Sequence, residues 1–225
     1  VHSKSTYDQI NTIHDINPNK INLIPMGNYN LYRKFCSNCR LKDINNKHFK
    51  IIFFGKIRKY KGLEELILVF NKVRLKLYNI ILVISGECAD LKYRHILTNL
   101  VDNESIFFNF QSISDMDLHL FFHNSDVVAL PFREITSTSS AFIACAFNKP
   151  IIAPRMGNLC DFPVNTGFFY DPEDPHGLEN ALIRAYRERK RCPEYGQNAY
   201  RYSQTLSWED AAAKTMKVYR NVLKM

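Results

Sequence analysis

Ile51-Ile52-Phe53-Phe54-Gly55-Lys56-Ile57-Arg58-Lys59-Tyr60-Lys61-Gly62 is the stretch that decides the fold. Its apolar run reads as a buried strand that stops at a glycine, and a dense set of cations follows. After Gly62, Leu63, Leu66, Ile67, Phe70 and Val73 recur at helical spacing. A strand that hands a glycine-bounded basic loop to a helix start is a common phosphate cradle, because helix-start amides and cations converge on one anion. Gly55 permits close backbone approach. Lys56 and Lys61 flank the loop within reach of one pyrophosphate, and Arg58 offers a bidentate contact. Cations placed before a helix N-terminus oppose its dipole, and an anion between them relieves that conflict. The competing reading is a solvated basic loop.

Working outward, the same alternation of apolar run and helical pattern repeats. Residues 21–25, 49–54, 80–85, 105–110, 126–130 and 150–153 read as short strands bounded by Gly, Pro, Asn or Ser. Helices are expected after Gly62, over 91–101, from an N-cap at Ser114, over 140–147, over 174–189 and from Ser207 to about residue 223. Continuous rather than alternating apolar strands suit a parallel sheet covered on both faces. The fold class is therefore α/β, a Rossmann-like parallel sheet built from right-handed βαβ units. Ligands of such sheets bind outside the carboxyl ends of the strands. The polar, Asn/Lys-rich stretch 28–48 reads as a loop or short helix leading into the domain.

A second anion cradle is expected on the same edge. After Leu130-Pro131, the run Thr136-Ser137-Thr138-Ser139-Ser140 precedes a very apolar helix, so hydroxyls and first-turn amides converge. Ordinary helix capping by Ser or Thr is the alternative. Glu134 stands where a carboxylate can accept from sugar hydroxyls. Two weaker loops share the edge: Ser85-Gly86-Glu87 after one strand, and Gln111-Ser112-Ile113-Ser114-Asp115, whose backbone can read a base edge. Two anion sites on one sheet point to a diphosphate-bearing ligand.

Composition sets the bounds. The chain has 225 residues, 46% of them hydrophobic, enough for one large domain. It starts at Val1, and its first residues read like the interior of a fold, so a preceding N-terminal domain is expected. A formal net charge of +8 and a pI near 9.1 favour anionic partners without choosing among nucleotides, anionic lipid and nucleic acid. The lysines are dispersed and no aromatic stacking platform is readable, so nucleic acid is not expected as a partner. Of six cysteines only Cys36 and Cys39 form a C-x-x-C, and no second pair at zinc-site spacing accompanies it. No metal or other cofactor is expected. No apolar run approaches the ~20 residues of a membrane span, and the expected location is the cytoplasm, with peripheral contact at the inner face of the membrane.

The order of these motifs resembles the C-terminal, donor-binding domain of GT-B glycosyltransferases of the group 1 type, over roughly residues 21–223. The run from Phe54 to Gly62 looks like the family's diphosphate loop, and Leu82-Val83-Ile84-Ser85-Gly86 like its next strand-glycine turn. Residues 113–118 and 125–131 resemble the helix and strand before the donor-sugar loop, and 144–153 those after it. Ile24-Pro25-Met26-Gly27-Asn28 looks like the interdomain passage, and Ser207-Trp208-Glu209 like the start of a last helix that in relatives packs on the other domain. Two departures stand out. Lys56 replaces the family's Arg, which keeps charge and loses the fork. Of the family's two glutamates eight residues apart, the first falls at Ile135, next to Glu134, and the second at Ile143. A Thr/Ser-rich loop without the second glutamate resembles an exopolysaccharide-making subgroup.

The resemblance implies a division into a lead-in passage (1–48), a nucleotide-sugar-binding domain (49–206) and a C-terminal helix (207–225) directed at the preceding domain. It implies transfer from a UDP- or GDP-sugar to a glycan or lipid-linked acceptor. Lys56, Arg58, Lys61 and Glu134 would act on the reacting groups. Gly27, Gly55, Gly86, Glu87, Ile113, Thr136, Ser137, Thr138, Ser139 and Ser140 would line the donor site. Competing readings are another nucleotide-sugar enzyme such as an epimerase, and a non-catalytic basic scaffold.

Overall fold

The computed structural model describes residues 1–13, 16–34, 47–102 and 104–223. Cys36 and Cys39, and with them the C-x-x-C, lie outside these residues. Six strands are described: β1 (Phe49–Phe54), β2 (Ile80–Ser85), β3 (Ile106–Asn109), β4 (Val127–Ala129), β5 (Ile151–Pro154) and β6 (Gly167–Tyr170). They form one sheet in the order β3-β2-β1-β4-β5-β6, and every pair is parallel. The strand order reverses between β1 and β4, the switch point where open α/β sheets leave a crevice for ligands.

The decisive stretch is β1, at the centre. Ile51 and Phe53 face one hydrophobic cluster, Ile52 and Phe54 the other, and all four are buried. This two-sided burial explains why the run is apolar without alternation. Helices α3 (Leu63–Arg74), α4 (Leu91–Asn99) and α7 (Gly177–Arg187) cover the first face, and α5 (Leu118–His123), α6 (Ser140–Ala146) and α8 (Cys192–Gln204) the second. The expected Rossmann-like architecture is borne out. Among the described residues no helix is long and apolar enough to cross a membrane.

The differences have physical causes. Residues 21–25 are extended but stay outside the sheet. They bond instead to the chain start, Ile24 N–H donating to the Val1 carbonyl at 2.8 Å. The chain start is also less interior than expected: Ser3 is buried, but helix α1 (Lys4–Ile13) buries no residue. Ser114 caps only a turn, its Oγ accepting from Asp117 N–H at 3.2 Å, and regular helix begins at Leu118. Strand β6 and helix α8 were not read from the sequence; β6 opens on Gly167, and Gly196 lies inside α8. A Cβ at Gly167 would lie 2.3 Å from the Ile151 carbonyl oxygen, and one at Gly196 would lie 1.9 Å from that of Asn148. These glycines mark close backbone approach, not chain breaks. The short helix α2 (Leu31–Lys34) falls in the stretch read as a loop or short helix. Helix α9 (Trp208–Leu223) starts as expected, with Ser207 Oγ accepting from Asp210 N–H at 2.9 Å.

Candidate nucleotide-sugar site at the switch point

The register sets the loops after β1, β2 and β4 side by side. Ile52 pairs with Val128 and Phe54 with Ser85, so Gly55 stands level with Gly86 and Pro131. Gly55 N–H donates to the Ser85 carbonyl at 3.1 Å, and Ile57 N–H to that of Glu87 at 2.8 Å. The loops touch: a Cβ at Gly86 would lie 2.0 Å from the Gly55 carbonyl oxygen, and one at Gly62 would lie 1.8 Å from that of Pro131. Gly62 also has φ of +71°, which a glycine adopts without strain. Arg133 N–H closes the joint by donating to the Tyr60 carbonyl at 2.9 Å.

This approach buries Lys61, which is only 8% exposed. Its Nζ lies 3.3 Å from the point where a Gly55 Cβ would stand, with Ser140 Oγ 3.9 Å from the same point. The rings of Phe53 and Phe132 flank it at 5.5 and 5.7 Å. Among the described residues it meets no carboxylate. Burial, and secondarily the Arg58 guanidinium, lowers its pKa to about 8. Lys56 and Arg58, read from sequence as equal partners, are exposed, and Arg58 makes only a long contact of 3.4 Å to the Ile57 carbonyl. The sequence argument from an uncompensated helix start is corrected. Glu64 and Glu65 occupy the first turn of α3, and Lys61 reaches back toward Gly55 instead.

The hydroxyl-rich run is held from behind by Asn158, which is buried. Its Oδ1 accepts from Thr138 N–H at 3.0 Å, its Nδ2 donates to the Thr138 carbonyl at 3.2 Å, and its own N–H donates to that of Thr136 at 3.0 Å. Sequence reasoning missed Asn158, since one Asn in a turn carries no signal. The five hydroxyls are not equivalent. Thr138 Oγ1 accepts from Ser140 N–H at 3.2 Å and so acts as a cap, while Ser139 makes no side-chain cap bond. Thr136, Ser137 and the exposed Glu134 border an open cavity of about 570 Å³.

Toward β2 and β3 the edge opens into a second cavity, of about 380 Å³. Ser85, Asn109, Gln111 and Ser112 supply polar lining, and Ile52, Val83, Ile113 and Phe121 apolar lining. Asn109 braces the polar lining, donating to Ser85 Oγ at 3.2 Å and accepting from Gln111 N–H at 3.2 Å. A flat apolar slot with amide and hydroxyl groups suits a nucleobase. Glu87 is exposed, and only its backbone ties into the loops. Gly27 is not brought to this edge. A Cβ there would strike the Trp208 ring at 2.5 Å, and Trp208 Nε1 donates to the Asn28 carbonyl at 2.7 Å. Among the described residues no group of three or more His, Cys, Asp or Glu side chains is placed to hold a metal.

Comparisons with known proteins converge on one family. A family model described as glycosyl transferases group 1 matches residues 40–202. The chain is 24% identical to a D-inositol 3-phosphate glycosyltransferase of Corynebacterium glutamicum, covering 93% of this chain and 54% of that protein. It is also 24% identical to the capsular polysaccharide biosynthesis glycosyltransferase CapM of Staphylococcus aureus, covering 92% and 58%. The fold matches sucrose-phosphate synthase of Thermosynechococcus elongatus with a TM-score of 0.80 at 19% identity, over all of this chain and 58% of that one. The chain thus spans about half the length of the relatives it matches.

Proposed function

This chain belongs to the glycosyl transferases group 1 family, and from that premise we propose that it is the C-terminal, donor-binding half of a GT-B enzyme. The whole enzyme moves a sugar from a UDP- or GDP-linked donor to a glycan or lipid-linked acceptor in polysaccharide biosynthesis. The observation that carries this reading is Lys61, a buried ammonium that meets no carboxylate among the described residues, set beside Gly55 at the switch point. An ammonium held out of water with no counterion is unfavourable unless an anion comes to it.

The geometry supports a division of labour. The base enters the slot above Ile52 and Val83, the diphosphate crosses Gly55 and Lys61, and the sugar lies toward Glu134, Thr136 and Ser137. Breaking the anomeric C–O bond leaves charge on the departing diphosphate. Lys61, with Lys56 and Arg58 closing from solvent, stabilises that charge where water is scarce, so it counts for more than in bulk water. Glu134 accepts from sugar hydroxyls and orients the ring. These cations supply the charge that binds the donor, so binding without a divalent metal is expected.

Calorimetric titration of this chain with UDP, GDP and their sugar conjugates, with and without Mg²⁺, tests the reading. The expected result is metal-independent binding of one diphosphate, weakened by Lys61→Ala and Arg58→Ala. Binding of neither nucleotide, or binding indifferent to Lys61, would overturn it.

A further inference from the structure

The end of the sheet opposite the donor edge carries a pocket that sugar transfer does not use. Phe49 opens β1, and Asn79 and Asp126 lie just before β2 and β4, so the pocket sits at the amino ends of the central strands. β1 is six residues long, which separates the pocket from Gly55 by on the order of 20 Å. Its volume is about 240 Å³, and its walls are fixed. The Tyr186 ring stands edge-on to Phe49 at 5.9 Å, and its hydroxyl donates to the Tyr78 carbonyl at 2.8 Å. Phe49 N–H donates to the Asn79 carbonyl at 2.7 Å.

Cations line this pocket: Lys47, Arg189 and Lys190, with the His48 imidazole beside them. The charges around them are paired. Lys76 meets Glu179 at 2.7 Å, Arg184 meets Glu188 at 3.0 Å, and Arg191 meets Glu188 and Glu194 at 3.3 and 3.1 Å. Glu188 also accepts from the Tyr195 hydroxyl at 2.6 Å. Among the described residues, the three cations in the lining meet no carboxylate. A merely solvated basic face would not divide in this way. Arg189 gives one N–H to the Tyr186 carbonyl at 2.9 Å, which caps the end of α7, and its guanidinium lies over the Tyr186 ring at 4.4 Å. The stacking orients the fork and leaves its other N–H groups for a ligand. The carboxylate in the lining, Asp126, is already engaged. Its Oδ2 accepts from Lys50 N–H at 2.7 Å, and the neighbouring Lys149 ammonium, donating to the Ser125 carbonyl at 2.6 Å, offsets its charge.

We propose that this pocket binds a phosphomonoester dianion, with the Arg189 fork on two of its oxygens and Lys47 and Lys190 closing on the others. The volume is below the ~300–1,000 Å³ of sites for drug-sized ligands, which suits a phosphate with a short substituent better than a second nucleotide. A soluble phosphate ester and a lipid headgroup present the same group. The site stands independently of the sugar-transfer reading.

The test titrates methyl phosphate into this chain and into Lys61→Ala, above the second phosphate pKa of about 6. Binding that survives Lys61→Ala belongs to this pocket and not to the donor edge. In that background Arg189→Gln and Lys190→Gln should each weaken it about five- to tenfold, the loss of one charge-assisted contact. Arg191→Gln removes the same charge from the same turn, but its guanidinium is held by Glu188 and Glu194, so affinity should not change. Lys190 is exposed and unpaired, so its variant folds even if Arg189→Gln loosens the end of α7. In parallel, the chain is sedimented with phosphatidylcholine vesicles that contain phosphatidic acid, a phosphomonoester, or phosphatidylglycerol, a diester. Methyl phosphate binding with this pattern of variants supports a soluble ester as ligand. Recruitment to phosphatidic acid alone, lost in Lys190→Gln and kept in Arg191→Gln, supports the lipid headgroup. Binding of neither, equal recruitment by both lipids, or equal losses in all three variants would overturn the site.

Discussion

Burial and the nearby Arg58 lower the Lys61 pKa from its ordinary 10.5 to about 8. Between those values the unfolded chain holds a proton that the fold lacks, so stability rises with pH across that window. Below about 8 the folded chain carries the full penalty of a desolvated ammonium, on the order of 3 kcal/mol. Lys61→Met keeps the stem between Phe53 and Phe132 and removes the charge. The ligand-free variant should therefore melt at higher temperature than the wild type at pH 7, while its diphosphate affinity falls at least ~tenfold. Thermal melts and calorimetry on the same samples read both. A bound diphosphate raises the Lys61 pKa again, so affinity should be full below about pH 8 and decline as pH rises beyond it. Titrations from pH 7 to 10 follow this, and a flat profile would remove Lys61 from the site. Of the four cations in the loop, the sequence reading assigned three, Lys56, Arg58 and Lys61, to the phosphate and ranked them alike. Only the approach of Gly62 to Pro131, between loops some seventy residues apart, decides which one loses its water.

Elements built from local contrast were legible, and those shaped by a distant backbone were not. The strand before Gly55 and the helix after Gly62 are visible within residues 51–73. Helix α8, which carries Gly196 in its interior, was not. The purpose of Gly196 is tertiary: the Asn148 carbonyl, at the end of α6, occupies the space a side chain would need. Gly to Ala inside a helix ordinarily stabilises by ~1 kcal/mol. Here the sign should reverse. Gly196→Ala forces α8 away from α6 and should cost about 2–4 kcal/mol, read as a lower urea midpoint. Because α6 begins at Ser140, a displaced α6 also loosens the site. Diphosphate affinity should fall with stability in this variant, opposite to the behaviour of Lys61→Met. The second cavity shows the same limit of legibility. Ile113 was readable from its loop, but the Asn109 brace forms only when β2 and β3 pair.

At the scale of the whole molecule, helix α9 leaves an apolar stripe exposed among the described residues. Helix α9 packs Trp208 over Gly27 at its start and then buries only Ala211. Beyond that, Met216, Tyr219 and Leu223 follow Trp208 at spacings of eight, three and four residues, and all are exposed. Such spacing puts them on one helical stripe. Exposed apolar stripes of this kind mark surfaces that associate, and the chain spans only about half the length of its relatives. Taken alone, the chain should therefore self-associate reversibly as its concentration rises, through α9 and not through the donor edge. Met216→Glu together with Tyr219→Glu places two like charges on the stripe and should restore the monomer in sedimentation experiments. Diphosphate affinity should not change, because Lys61 and its neighbours lie on other elements. Persistent association in the double variant would place the contact elsewhere. Loss of diphosphate binding would instead mean that α9 supports the donor edge through its joint with Gly27 and Asn28.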